Sequence, residues 1–124
     1  MTTPNIPPGG AAVVLLPIHL SGDHTATVAG IARYRLPFRA HVLGVSASAR
    51  ASSGTGPTLA VTVKAGGTSL FAAPVAVTAG AVAEAVLTDN RRIADEADVT
   101  VDLTIGGTTP SWSDITILLT LARV

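Results

Sequence analysis

Three histidines, His19, His24 and His41, are the first residues to weigh as metal ligands or general bases. A zinc site wants two or three such ligands at i, i+2 or i, i+4 spacing with carboxylates close by. His19 and His24, flanking a turn beside Asp23, come nearest to that pattern and still read as ordinary surface or strand-end histidines. Asp95, Glu96 and Asp98, with Asp89 and Asn90 upstream, offer oxygen ligands of the kind calcium takes. They lack the alternating Asp-x-Asp-x-Asp-Gly loop that holds the ion, so the segment reads as a solvated loop leading into a strand. No Gly-x-Ser-x-Gly elbow is present to raise a serine nucleophile. Gly54-Thr55-Gly56 is not followed by the spacing of a phosphate loop. Glu84 and Glu96 are the only glutamates. The expectation is a chain without catalysis, cofactor or metal.

Residues suited to contact with another protein are more evident. Arg33 and Arg35 flank Tyr34 on one predicted strand face, and Arg39 follows Pro37. Guanidinium groups so placed can make charge-assisted hydrogen bonds to acidic groups on a partner. The plainer role is a solvated strand face guarded against edge pairing. Trp112, in Pro110-Ser111-Trp112-Ser113-Asp114, stands where a large aromatic serves either as an interface anchor or as a lid on the core, and the lid is the preferred reading. Ile6, Pro7 and Pro8 are the apolar residues of an N-terminal segment holding three prolines and two glycines, which cannot be helical.

Those residues must be positioned by strands. Ala97, Val99, Val101, Leu103 and Ile105 alternate without exception with Asp98, Thr100, Asp102 and Thr104. Period two is the signature of a strand with one buried face. Ile115, Ile117, Leu119 and Leu121 repeat the pattern, except that Leu118 interrupts the outward face, which is therefore expected to be partly covered. Leu59, Val61 and Val63 alternate up to Gly66-Gly67, a glycine pair that predicts a tight hairpin between residues 58–65 and 68–72. Further strands are expected at about 12–20, 25–36, 39–51 and 82–88. Turns are expected at 21–23, Pro37, 52–57, 78–80, 89–90 and 106–107. About eight antiparallel strands with no helical period predict an all-β, two-sheet, jelly-roll-like sandwich over residues 12–124, preceded by an extended arm over 1–11.

With 124 residues and no cysteine, a single domain must hold itself together by its aliphatic core, without disulfides or thiolate metal sites. Tyr34, Phe38, Phe71 and Trp112 are the few large pieces available to that core. The longest apolar run, Ala11 to Ile18, is well short of the roughly 20 residues of a membrane-spanning helix. The N-terminus has no basic residue ahead of an apolar stretch, so no secretory signal is read there. Only 13% of residues are charged and the net charge is zero, which disfavours binding to nucleic acid or anionic membrane through bulk electrostatics. A near-neutral surface of Ala, Thr, Ser and Gly suits a protein whose surface is covered by partners.

The stretches Tyr34-Arg35-Leu36-Pro37-Phe38-Arg39-Ala40 and Leu43-Gly44-Val45-Ser46-Ala47-Ser48 begin a resemblance that runs through residues 61–71 and 93–103 and closes with Ile115-Thr116-Ile117-Leu118-Leu119-Thr120-Leu121. Over about three quarters of its length the chain thus resembles the capsid decoration, or cement, proteins of bacteriophages. That resemblance implies a jelly-roll-like protein on the outer surface of the capsid, bound to the major capsid protein and to itself as a dimer or trimer, and made in the host cytoplasm. Ile6, Pro7, Pro8, Arg33, Arg35, Arg39 and Trp112 are then the expected capsid or subunit contacts. Similar strands occur in tail-fibre modules, so a receptor- or carbohydrate-binding module is the alternative expectation.

Overall fold

The two alternating stretches at residues 97–105 and 115–121 lie on one strand. The computed structural model describes residues 13–88 and 92–123, and these form eight strands: β1 (Val13–His24), β2 (Val28–Arg35), β3 (Ala40–Ala65), β4 (Thr68–Ser69), β5 (Val75–Ala76), β6 (Val82–Glu84), β7 (Arg92–Ile93) and β8 (Asp98–Arg123). The expected arm, with Ile6, Pro7 and Pro8, lies outside the described residues. Among the described residues there is no helix.

β3 and β8 are each 26 residues long and pair antiparallel from Ala40↔Arg123 at one end to Ala65↔Val99 at the other. Laid straight, such a ribbon would reach about 85 Å. Its two halves instead share one hydrophobic core, with Val42, Ala47, Ile117 and Leu119 from one half and Val61, Val63, Val101 and Leu103 from the other. The ribbon therefore folds back on itself at a waist, where its register shifts between Ser53 and Thr55 and again between Thr55 and Thr58. Turns expected at residues 52–57 and 106–107 do not end the strands. The two glycine-bearing segments lie opposite each other, so both backbones bend together as bulges and pairing resumes beyond them.

The doubled-over ribbon makes two layers. One carries β1, residues 112–123 of β8, residues 40–53 of β3, and then β6 and β7. The other carries β2, the first part of β8, the last part of β3, and then β4 and β5. The all-β antiparallel class and the number of strands are as the sequence predicts, but four of the expected strands are joined in pairs as β3 and β8, and β5 and β7 are strands that the sequence did not mark. A further difference is that one continuous hydrogen-bonded sheet, not closed into a barrel, supplies both layers in place of two separate sheets.

The glycine hairpin forms as expected, with Gly66 and Gly67 at φ of +58° and +85° and Lys64↔Ser69 and Ala65↔Thr68 paired beside them. Positive φ at both central residues is what a two-residue turn needs to match the twist of its strands. β1 continues through the turn expected at residues 21–23, because a register shift between Leu20 and Asp23 absorbs the extra residues. The core takes Phe71 and Trp112 whole and Phe38 in part. Tyr34 is a correction to the expected core: it lies on the edge strand β2 and stays 37% exposed at the rim of the layer.

Candidate functional site

The two outward faces of the folded sheet differ in chemistry. On the β2 side, the residues that alternate away from the core are charged and already paired with one another. Arg33 Nη1 lies 3.6 Å from Asp98 Oδ2, Arg35 Nε lies 3.4 Å from Asp98 Oδ1, and Lys64 Nζ lies 3.0 Å from Asp102 Oδ2. Asp102 also accepts a 2.7 Å hydrogen bond from the Gly30 amide. Strand register explains the set: Arg35 stands opposite Asp98, and Asp102 stands opposite Thr62 with Lys64 two places along. Exposed pairs of this kind contribute little individually, about 0.2–1 kcal/mol. Their consequence is a face whose charge is satisfied within the chain.

The middle of the opposite outward face, spanning β1, β8, β3 and β6, presents an apolar patch, with the exposed Glu84 of β6 at its edge. Val13, Leu15 and Pro17 of β1 stand opposite Ala122, Thr120 and Leu118 of β8, and beyond these come Gly44 and Ser46 of β3. Leu15 is 59% exposed, Leu43 48% and Val86 73%. Leu43 is the extra residue of a bulge, since Val42 pairs Leu121 and Gly44 pairs Thr120. That one-residue insertion pushes a leucine out of the ladder to the surface. Leu43, Val86, Leu118 and the carboxylate Glu84 line a groove with Gly44 and Ser46, whose small side chains leave the sheet backbone uncovered. Leu118, which interrupts the polar alternation in the sequence, is half-buried in that groove.

At the waist end the same face carries a polar cluster. Arg50 Nε donates to Asp114 Oδ2 at 2.7 Å, the Gly22 amide donates to Asp114 Oδ1 at 3.0 Å, and His19 Nδ1 and Thr116 Oγ1 are 2.9 Å apart. Asp114 has φ of +52°, a left-handed conformation that a short polar residue tolerates. Its carboxyl is held below the ordinary aspartate range by the Arg50 hydrogen bond first and the Gly22 amide second. The bond in turn raises the Arg50 guanidinium. With one oxygen accepting from the Gly22 amide and the other from Arg50, Asp114 fixes the waist end of β1 against β8 and β3. Among the described residues no group of three or more His, Cys, Asp or Glu side chains is arranged to hold a metal ion.

Burial pushes the Asp102 carboxyl up, but the Gly30 amide and the Lys64 ammonium outweigh it and leave the group below the ordinary aspartate value. A carboxyl whose folded pKa is depressed adds stability that is present above its unfolded value, near 3.9, and is lost as the pH falls through the folded value. Thermal midpoints are therefore expected to be flat from neutral pH to about pH 5 and to fall by several degrees below about pH 4. Asp102→Asn should lower the neutral midpoint slightly and remove part of the acid slope, so that variant and parent converge at low pH. Parallel curves at every pH would contradict this account.

The residues singled out from the sequence are separated by the fold. Arg33 and Arg35 sit together on the charged face, already bonded to Asp98. Arg39 is exposed at the opposite end of the molecule from the waist, beside β7. Trp112 is 2% exposed, its ring in the core, so it offers no surface to a partner and acts as the lid. Leu15, Leu43 and Val86 were not singled out from the sequence. Two signals pointed to their face: Leu118 on an outward position, and the unbroken apolar run Val13 to Leu16, which alternation cannot bury on one side.

No known protein family and no curated protein matches the chain. Among solved structures it is similar to a chain in the structure of infectious bursal disease virus Gx strain, with 15% identity and a TM-score of 0.36. The alignment covers 89% of this chain and 32% of the viral one, so this chain spans about a third of that chain's length. No functional conclusion is drawn from a likeness of that size.

Proposed function

We propose that this protein is a non-catalytic structural component of a virion, which sits on the outer surface of a phage capsid and bridges its subunits. The observation that carries the reading is the asymmetry of the two outward faces: one is lined with charges paired within the chain, the other holds an apolar, grooved patch at its middle. A β-sandwich in solution normally alternates apolar-in and polar-out on both layers. A layer that instead presents Val13, Leu15, Leu43 and Val86 to solvent is suited to being covered. The resemblance of residues 33–124 to decoration proteins, read from the sequence, favours the major capsid protein as that cover. The alternative, a carbohydrate-binding module, is weakened by the burial of Trp112, since a sugar site needs an exposed aromatic platform.

The test is re-addition of the purified protein to capsid shells stripped of it. Leu15→Asp and Leu43→Asp replace exposed side chains and should change stability by no more than about 0.5 kcal/mol. Each is expected to weaken shell binding by about 30-fold or more, the size of one lost hot-spot contact. Arg33→Gln, on the charged face, should bind as the parent does. Equal binding by all three variants, or a larger loss for Arg33→Gln, would remove the apolar face from the proposal.

A further inference from the structure

The chain has few charges, and where they remain unpaired is informative. Among the described residues Arg33, Arg35, Arg50 and Lys64 each lie within 4 Å of an aspartate. The other described cations, Arg39, Arg92 and Arg123, have no ion pair with another described residue, and all three stand at the end of the molecule away from the waist. Register places them on adjacent strands at one level: Ala40, next to Arg39, stands opposite Arg123 on one side and Ile93 on the other, while His41 stands opposite Arg92. Arg123 is held there by its guanidinium, 5.1 Å from the centre of the Phe38 ring. Arg39, His41 and Arg92 rim a depression of about 520 Å3 whose apolar floor is Ala40, Ile93 and Ala94. Like charges on neighbouring strands repel one another, and no described carboxylate lies within 4 Å of these three to offset it.

The acidic groups without a cation include Asp95 and Glu96, both exposed, and they lie on the turn that leads out of the same depression. That turn is closed by a 3.1 Å bond from the Ala97 amide to the Ala94 carbonyl and a 2.9 Å bond from the Glu96 amide to the Leu36 carbonyl, with Glu96 at φ of +59°. It projects two carboxylates as a knob, while its first residue forms a wall of the basic socket. Although Arg92 is close in sequence to Asp95 and Glu96, these groups do not pair with one another. Register sets Arg92 opposite His41, while the turn is tied to Leu36 by bonds at 2.9 and 3.4 Å.

We infer that this end is a self-association surface, on which the Asp95-Glu96 knob of each copy enters the Arg39, His41 and Arg92 socket of a second copy. Charge complementarity supplies the partner, because the counter-charge that each half-site lacks is carried by the other half-site of a second copy. Adjacent knob and socket place a two-fold axis between them, so the contact closes as a pair and does not propagate as a chain. The pairing is separate from the capsid reading, since it uses the Arg39, His41 and Arg92 end of the layer and not the patch of Leu15, Leu43 and Val86.

Sedimentation velocity at low ionic strength tests it. The parent protein is expected at twice the 12.4 kDa monomer mass, dissociating as salt is added. The double variant Arg39→Glu, Arg92→Glu and the double variant Asp95→Lys, Glu96→Lys should each weaken pairing by at least about tenfold. Mixed in equal amounts, they should pair again, because each then meets the opposite charge. Circular dichroism verifies that both are folded, and the milder Arg92→Gln and Glu96→Gln serve if either is not. A parent that stays monomeric at low salt, a pair that survives both charge reversals, or swapped variants that fail to pair when mixed would overturn the inference.

Discussion

Alanine at Gly54 is expected to destabilise the protein by more than about 3 kcal/mol, because the waist has no room for a side chain. A Cβ built there stands 2.5 Å from the Thr109 carbonyl oxygen and 2.8 Å from that of Thr108, and the backbone φ is +105°. The obstacle is the facing strand's backbone, which cannot rotate away as a flexible side chain can. The φ value alone costs an L-residue about 1–3 kcal/mol, and separating β3 from β8 at the bulge adds to that. Gly107 faces the reciprocal constraint, with its Cβ 2.6 Å from the Gly56 carbonyl oxygen at a φ of +111°. Either alanine variant should lower the thermal midpoint by about 10 °C or more for a domain of this size. Gly44→Ala is the control, since nothing lies within 4 Å of its Cβ and its φ is not positive. Its midpoint should move by no more than a few degrees. If the three variants behave alike, the waist is not the constraint described here.

Trp112→Ala is the second large effect, expected at about 3–5 kcal/mol from the lost transfer energy and the cavity left behind. The ring lies beside the waist, opposite Ser52 on β3 and His24 on β1, so it helps to hold both neighbours on β8. Its indole Nε1 is buried with no acceptor within hydrogen-bonding distance. A buried donor without a partner costs about 1–3 kcal/mol, so deleting it returns energy that offsets lost volume. Trp112→Phe should therefore cost less than about 1.5 kcal/mol, far less than alanine. Urea midpoints of the parent and the two variants measure both effects. A phenylalanine variant as unstable as the alanine variant would mean that the indole nitrogen is satisfied after all, or that the full ring volume is indispensable.

The strands of this fold were legible wherever one face alone is buried. Residues 97–105 alternate without exception and 115–121 do so but for Leu118, and of the inward residues the period selects, Val99, Val101, Leu103, Ile115, Ile117, Leu119 and Leu121 are buried while Ala97 and Ile105 are half-buried. The Gly66-Gly67 hairpin was equally plain, because two consecutive positive φ values admit few residues other than glycine. Less legible was β3, where the bulge at Leu43 shifts the phase. Ala40 and Val42 point inward before it, and Val45, Ala47 and Ala49 after it, so no single alternation runs through the segment. The contact residues fared unevenly for a related reason. Arginines at 33 and 35 could be placed on one face from their spacing, but their partner Asp98 is 63 residues from Arg35 and no local pattern names it.

Taken alone, the order of residues determined that the protein is all-β, aliphatic in its core, sparsely charged and without a thiol or a recognisable catalytic pattern, since each of these follows from local period or composition. Only the tertiary structure decided that four of the expected strands are two long ones, that the glycine segments at 52–57 and 106–107 are facing bulges and not turns, and that one outward face is charged while the other holds an apolar patch. The physical reason is that a glycine's positive φ serves a reversal and a bulge equally well. Which one forms depends on whether another strand lies alongside to keep the ladder of hydrogen bonds, and that strand comes from a distant part of the chain.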